Sequence, residues 1–360
     1  MKEFSCDTKI VIGNGAADAL KSLGAKRLLL VTDPFFAKNG TARRIAAASG
    51  AEQTEIFDRV EPDPGVQLAA EGTAKVKEFK PDVIVALGGG SAMDCAKAMT
   101  YFSSTKAKLV AIPTTSGSGS EVTDFAILTH GNVKHPLVDP RLRPDVAILD
   151  DALLGGLPPS LIADAGFDVL AHALEGYVGS NATPITDALA KDAFCAAFAA
   201  LPLSFAGRAE VRLKIHTAAT MAGMAFTQAG LGLCHAMAHS LGGMFHVPHG
   251  RLNAILLPSV IGCNAHRAGE KYAAIARAAG FSGSADTVAV RNLKNGLVRL
   301  RRELRLPSTL KQAGIDPVKV WQAMGDIVAA TMADPCCETN PMQVEDFMVR
   351  KVLEEVTGSA

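Results

Sequence analysis

Hydrophobic positions change their spacing near the middle of the chain. In the first half, short apolar and β-branched runs recur at Arg27–Thr32 (RLLLVT), Val83–Leu87 (VIVAL), Leu109–Ile112 (LVAI) and Val146–Leu149 (VAIL). Continuous runs of this length read as strands covered on both faces. Between them, apolar positions return at helical spacing near Ala16–Leu23, Thr41–Ala48, Val66–Phe79 and Ala92–Phe102. Strand–helix alternation predicts a parallel sheet in a Rossmann-like α/β domain. Ala126–Leu128 and Val133–Val138 flank His130-Gly131-Asn132, which predicts an inserted hairpin. Beyond Leu154–Pro159 (LGGLPP) strand-like runs nearly vanish, and helical periodicity covers Ser160–Val178, Ile185–Leu201, Val211–Thr227 and Leu233–Phe245. The expected organisation is an α/β domain over residues 1–158 and an all-α domain over 159–360, with a ligand site in the cleft between them.

Composition narrows the functional classes. Lys plus Arg and Asp plus Glu both number 36, so no net charge points to nucleic acid or an anionic membrane as a partner. A 48% hydrophobic content with 33 glycines belongs to a packed globular chain rather than a disordered one. The Met1–Phe4 start lacks the apolar core of a signal peptide. The longest largely apolar uncharged run, Ala193–Gly207, is broken by Pro202 and is shorter than a bilayer span needs. The seven cysteines form no CxxC pairs and read as reduced thiols of a cytoplasmic protein. The adjacent Cys336 and Cys337 read as partly buried thiols, a metal or redox role being the alternative.

Candidate chemistry falls at strand ends and on helices. Val83–Leu87 runs into Gly88-Gly89-Gly90-Ser91 and then a helix start, where glycines let a phosphate approach unpaired backbone N–H groups. Alone this turn is weak evidence, being neither GxGxxG nor a P-loop. Leu109–Ile112 leads into PTTSGSGSEVT (113–123), a second polar, glycine-rich strand end, and two such ends on one parallel sheet point to a nucleotide crevice rather than a solvated loop. Asp33 follows Arg27–Thr32, where a carboxylate can accept from ribose hydroxyls and would repel a 2′-phosphate, favouring NAD. The plain alternative is a helix cap at Asp33-Pro34. In the second half, Asp168 and His172 share a helix face at i,i+4, His235 and His239 repeat the spacing, and His246 and His249 follow. A carboxylate with imidazoles suits Fe2+ or Zn2+; affinity order favours zinc, so availability decides. This pattern alone does not choose between His246 and His249.

The stretches GGGSAMDCAK (88–97), PTTSGSGSEVT (113–123), PDVAILD (144–150), GFDVLAHALE (166–175) and GLGLCHAMAHSLGGMFHVPHG (230–250) resemble the iron-containing, or group III, alcohol dehydrogenases over essentially the whole chain. Within that family, MAGMAFTQAGLGL (221–233) and AHSLGGMFHVPHG (238–250) are most similar to 1-propanol dehydrogenases of bacterial microcompartments. The resemblance implies an NAD(H)-linked enzyme of short alcohols and aldehydes, cytoplasmic or microcompartment-bound. It implies a homodimer, in which the strand Ile10–Ile12 would pair across the interface. It implies that Asp168, His172, His235 and His249 hold the metal, with His239 near the nicotinamide. No other obvious acid or base appears in the sequence, which makes His239 the candidate proton relay, a packing or supporting role being the alternative. Gly89, Gly90, Ser91 and Asp94 would meet the pyrophosphate, Thr114, Thr115 and Ser118 would line the cofactor, and Lys134 would reach its ribose or phosphate. Phe125 and Phe226 would wall the substrate pocket. Asp63, where relatives carry Asn, and Asn340-Pro341-Met342, in place of Asn-Pro-Arg, depart from the pattern. A glycerol-dehydrogenase-like polyol enzyme, a dehydroquinate-synthase-like lyase and a non-catalytic nucleotide binder are the competing readings. The lyase would want a basic cluster for an acidic substrate, and the metal-bearing segments have few Lys or Arg.

Overall fold

The computed structural model describes residues 2–131 and 133–358. Its contacts divide the chain into two units, Ser5–Gly156 and Leu157–Ala360, the latter joined by Met1–Phe4.

The first unit is built on strands β1 (Lys9–Ile12), β2 (Arg27–Thr32), β3 (Gln53–Phe57), β4 (Val83–Gly88), β5 (Lys108–Pro113), β6 (Phe125–His130), β7 (Val133–Val138) and β8 (Val146–Leu149). Six of them form a parallel sheet in the order β1-β8-β5-β4-β2-β3. Its helices are α1 (Pro34–Lys38), α2 (Thr41–Ala48), α3 (Val66–Phe79) and α4 (Gly90–Ser103), with a 3-10 helix over Ala16–Leu23. Alternate residues of the same strands feed opposite faces: Leu28, Leu30, Val83, Val85 and Leu87 pack with Ala17, Leu20 and Ile45, whereas Leu29, Val31, Ile84 and Ala86 pack with Val76, Phe79, Met93 and Met99. Both faces are thereby covered, as a parallel sheet requires.

Strand β3 was not expected from the sequence. Its QTEIF stretch lies at a sheet edge with Gln53 and Thr54 exposed, so it lacks the apolar run that marks the central strands. At the other edge β1 pairs with β8, Ile10 opposite Ala147. β6 and β7 form the antiparallel hairpin, pairing Phe125 with Val138 and Thr129 with Lys134. Asn132, in its expected turn, lies outside the described residues.

The second unit carries helices α5 (Pro159–Val178), α6 (Pro184–Phe205), α7 (Arg212–Ala229), α8 (Leu233–Phe245), α9 (His249–Ala278), α10 (Asp286–Glu303), α11 (Pro317–Gln322), α12 (Met324–Met332) and α13 (Asp346–Thr357). One continuous core runs through it, from Phe167 and Leu170 on α5 to Ile255 on α9 and Leu353 on α13. α6 starts with a capping box, Thr183 and Thr186 bonding reciprocally. It is longer than the uncharged run Ala193–Gly207 that it overlaps, because it takes in charged residues as well. Over its 22 residues, Lys191 and Asp192 leave the mean hydropathy of an 18-residue window at 1.4, so length and composition alone would allow a span. Its Ala190, Ala193, Phe194, Ala197 and Leu201 are nonetheless buried in the protein core.

Candidate metal centre and cofactor cradle

The centre is assembled from α5, α8 and α9. On α5, Asp164, Asp168, His172 and Glu175 follow one another at helical spacing, so they share a face. Arg251, in the first turn of α9, binds Asp164 through two bonds, Nε to Oδ1 at 3.1 Å and Nη2 to Oδ2 at 2.9 Å. The intervening glycine permits this junction: a Cβ on Gly250 would lie 1.9 Å from the Asp164 carbonyl oxygen. His249, the first residue of α9, is thereby brought to α5.

Three imidazoles surround the Asp168 carboxylate. His249 Nε2 stands 3.6 Å and His235 Nε2 3.8 Å from its Oδ1, and His172 Nδ1 stands 3.9 Å from its Oδ2. Asp168, His235 and His249 each offer one donor atom, all within 4.8 Å of one another. The rings form a column, His172 stacking on His235 at 4.5 Å and on Phe226 at 4.4 Å between centroids. His246 is not part of it; it is exposed in the left-handed C-cap of α8 at φ 54°.

The electrostatics fit a divalent ion. Asp168 is buried, and none of the described ion pairs joins it to Lys or Arg. A buried carboxylate without a cation is costly. Among the described residues, His172 Nδ1 is buried with no hydrogen-bond partner. Burial holds His235 and His249 well below the usual histidine range, with the neighbouring imidazoles adding to the effect at both and Asp168 opposing it at His249. The rings are then neutral, and neutral imidazole is the form that ligates a metal.

Several supporting residues were not picked out from the sequence. Glu175 Oε2 meets His235 Nδ1 at 2.6 Å, and its carboxylate also accepts from the backbone N–H groups of Gly232, Cys234 and His235. That bond fixes the tautomer that leaves Nε2 as a lone-pair donor. Burial pushes the Glu175 carboxyl up to about 7, against the pull of those backbone donors. Asn253 Nδ2 donates to Asp168 Oδ1 at 2.8 Å. Spacing could have revealed both, since Glu175 lies three residues past His172 and Asn253 four past His249. Asp334, 2.8 Å from His239 Nδ1, lies 95 residues away and left no local signal. The His239 ring stacks on His249 at 5.1 Å.

In the α/β unit, Gly88 turns out of β4 at φ 152°, where a Cβ would come 2.7 Å from that of Ala92. Gly89 caps α4, whose first turn contains Gly90 and Ser91. The second strand end packs onto this turn: a Cβ on Gly89 would sit 3.1 Å from Thr115 Oγ1, and one on Gly90 3.4 Å from Ser118 Oγ. Thr114 is buried and donates its N–H to the Gly88 carbonyl at 2.9 Å. The Asp94 carboxylate braces the loop, accepting from Ser120 Oγ at 2.9 Å and Ile127 N–H at 3.2 Å. Lys97 is fully buried beneath it, donating to Thr123 O, Thr123 Oγ1 and Phe125 O. Lys134 pairs with Asp63 at 2.6 Å. Asp33 caps α1, its Oδ1 accepting from Phe35 and Phe36 N–H, so the helix-cap alternative is realised at that oxygen. Phe125 begins β6 in this unit, and Phe226 lies buried on α7 in the other.

The family described as iron-containing alcohol dehydrogenase matches residues 7–151, and its C-terminal counterpart matches 162–357. The 1-propanol dehydrogenase PduQ of Citrobacter freundii is 40% identical over 99% of this chain and all of its own length. The NADPH-dependent butanol dehydrogenase of Clostridium saccharobutylicum is 36% identical over 98% of this chain and 97% of its own. Among solved structures, the iron-containing alcohol dehydrogenase of Thermococcus thioreducens superposes with a TM-score of 0.90 at 33% identity, covering 98% of each chain. A 1,3-propanediol oxidoreductase superposes at 0.93 and 30% identity, over 98% of this chain and 99% of its own. The chain belongs to the iron-containing alcohol dehydrogenases, oxidoreductases that work with NAD(H) and Fe2+.

Proposed function

We propose that the protein interconverts short primary alcohols and their aldehydes, with NAD(H) as the hydride carrier and 1-propanol and propanal among its substrates. The cluster of Asp168, His172, His235 and His249, the first three of them buried, carries this reading. These four residues would hold Fe2+, with Zn2+ the alternative ion. Lewis-acid polarisation of the substrate oxygen is what such an ion supplies when bound. Glu175 and Asn253 orient the donor atoms. With Nδ1–H donated to Asp334, His239 keeps Nε2 free to accept the proton of the alcohol. Gly89, Gly90, Ser91, Thr114, Thr115 and Ser118 offer the pyrophosphate a close backbone approach and hydroxyls, with Asp94 bracing the loop and Lys134 reaching the ribose or a phosphate.

Phe226, buried on α7 and stacked on His172, is the proposed wall of the substrate pocket. Arg251, two residues past His249, is committed to Asp164, so it does not serve a phosphate or carboxylate substrate. A small apolar pocket discriminates by about 1–3 kcal/mol per methylene, so activity should extend over neighbouring chain lengths. The names of the relatives acting on propanol and butanol support this range. NADH formation from ethanol through hexanol, with glycerol alongside, tests it. Short alcohols should lead, and Phe226→Ala should raise relative activity on the longer ones. Glycerol outperforming propanol would replace this reading with the polyol one, and an unchanged profile in Phe226→Ala would reduce Phe226 to core packing.

NAD is favoured over NADP because the Asp33 carboxylate, at the end of β2, would repel a 2′-phosphate. The Clostridium relative is named for NADPH, so kcat/KM with each cofactor is the discriminating measurement. Preference for NADP would overturn the role of Asp33. The protein is further proposed to be a cytoplasmic or microcompartment homodimer, a second copy adding along the open edge of β1 where Ile12 is 51% exposed. A monomer by light scattering would overturn that assembly.

A further inference from the structure

Beside the Asp168 cluster, α8 and the 3-10 turn Pro335–Thr339 bring together three donors of different chemistry. His239, Asp334 and Cys336 each offer one ligand atom, and these atoms lie within 4.8 Å of one another. Asp334 divides its oxygens between two tasks. Oδ1 caps the turn by accepting from Cys336 N–H at 2.9 Å, and Oδ2 meets His239 Nδ1 at 2.8 Å. The cap therefore holds the cysteine against the carboxylate that already faces the imidazole. Cys337 is engaged elsewhere, its Sγ donating to the Thr331 carbonyl at 3.0 Å. His239 and Asp334 keep 22% and 15% of their side chains exposed, which gives an ion a route from solvent.

We propose that His239, Asp334 and Cys336 form a second divalent-metal site that takes Zn2+ or a similarly thiophilic ion and inhibits the enzyme when filled. Imidazole nitrogen, carboxylate oxygen and thiolate sulfur are the zinc donor set. Carboxylate and thiolate together neutralise the dication, the thiol proton passing to solvent. The sulfur separates this site chemically from the oxygen-and-nitrogen cluster around Asp168, because thiolate selects softer ions. Filling it replaces the His239–Asp334 hydrogen bond with coordination. The inhibition rests on the role given above to His239; the site itself does not.

Anaerobic titration of the iron-loaded enzyme with Co2+, then Zn2+, tests the proposal. The readouts are the thiolate-to-cobalt charge-transfer absorption and the metal count after gel filtration. The wild type should take up an additional equivalent and show the band. Cys336→Ala should lose both while keeping its helical circular dichroism, and Cys337→Ala should keep both. Asp334→Asn should weaken Co2+ binding by more than about tenfold, a loss that removal of even an outer partner can produce. His249→Ala, which disturbs the iron cluster, should still show the band. No additional equivalent in the wild type, a band that survives in Cys336→Ala, or one that vanishes in Cys337→Ala would each overturn the site. Zinc that fills the site without slowing turnover would overturn the inhibition alone.

Discussion

Single residues at the centre divide into those that present lone pairs and those that hold them in place. His249 belongs to the first group and His246, in the exposed cap of α8, to neither. His249→Ala should abolish turnover and most bound iron with the fold intact, and His246→Ala should cost far less. Metal analysis with kcat measured on both variants decides this, and equal losses would mean the wrong histidine was assigned. Glu175 belongs to the second group. Replacing it with Gln keeps the shape but takes away the carboxylate that accepts from His235 Nδ1. Iron affinity should fall about 10–100-fold, the usual effect of removing an outer partner. Chelator competition measures it, and an unchanged dissociation constant would show that the His235 tautomer is set some other way.

At the scale of elements, α4 couples the glycine turn to the hairpin through Lys97. Burial pushes its ammonium down from the ordinary 10.5 to about 8, against the pull of Asp94, Glu121 and Asp124. Between those two values the unfolded chain holds a proton that the folded chain has shed, so stability rises with pH across that window. Relative to Lys97→Met the rise should reach about 3 kcal/mol and be flat below it. Urea melts on either side of the window test this, and parallel curves for the two proteins would show that Lys97 keeps its proton throughout. The elements also show what a sequence makes legible. β2, β4, β5 and β8 were readable because burial on both faces demands unbroken apolar runs. β3 was not, because an edge strand satisfies its pairing with polar residues facing water. The i,i+4 pairs on α5 and α8 were readable because helix geometry makes spacing into proximity. The choice of His249, and the pairing of His239 with Asp334, depend on how separate helices pack, which no local pattern encodes.

At the scale of the whole molecule, an intrinsic fluorescent reporter sits in one of the two units. The single tryptophan, Trp321, lies on α11 in the helical unit. Its fluorescence should therefore follow the unit that carries the proposed iron ligands. At free metal about 100-fold above the dissociation constant, binding adds about 2.7 kcal/mol. Chelation should then lower the tryptophan melting midpoint by about 5 °C or more; an unshifted midpoint would show that the Asp168 cluster does not bind the ion. One feature also constrains how this chain can change over time. Asp164, Asp168, His172 and Glu175 mark α5 at steps of four, four and three residues, joining the Arg251 clamp, two donors and the His235 support on one helix face. Each residue turns the helix by about 100°. Substitution at the positions between them alters packing, but removing one residue from Val169–Ala171 swings His172 and Glu175 away from Asp168 together. Drift in composition is open to this stretch; drift in length is closed.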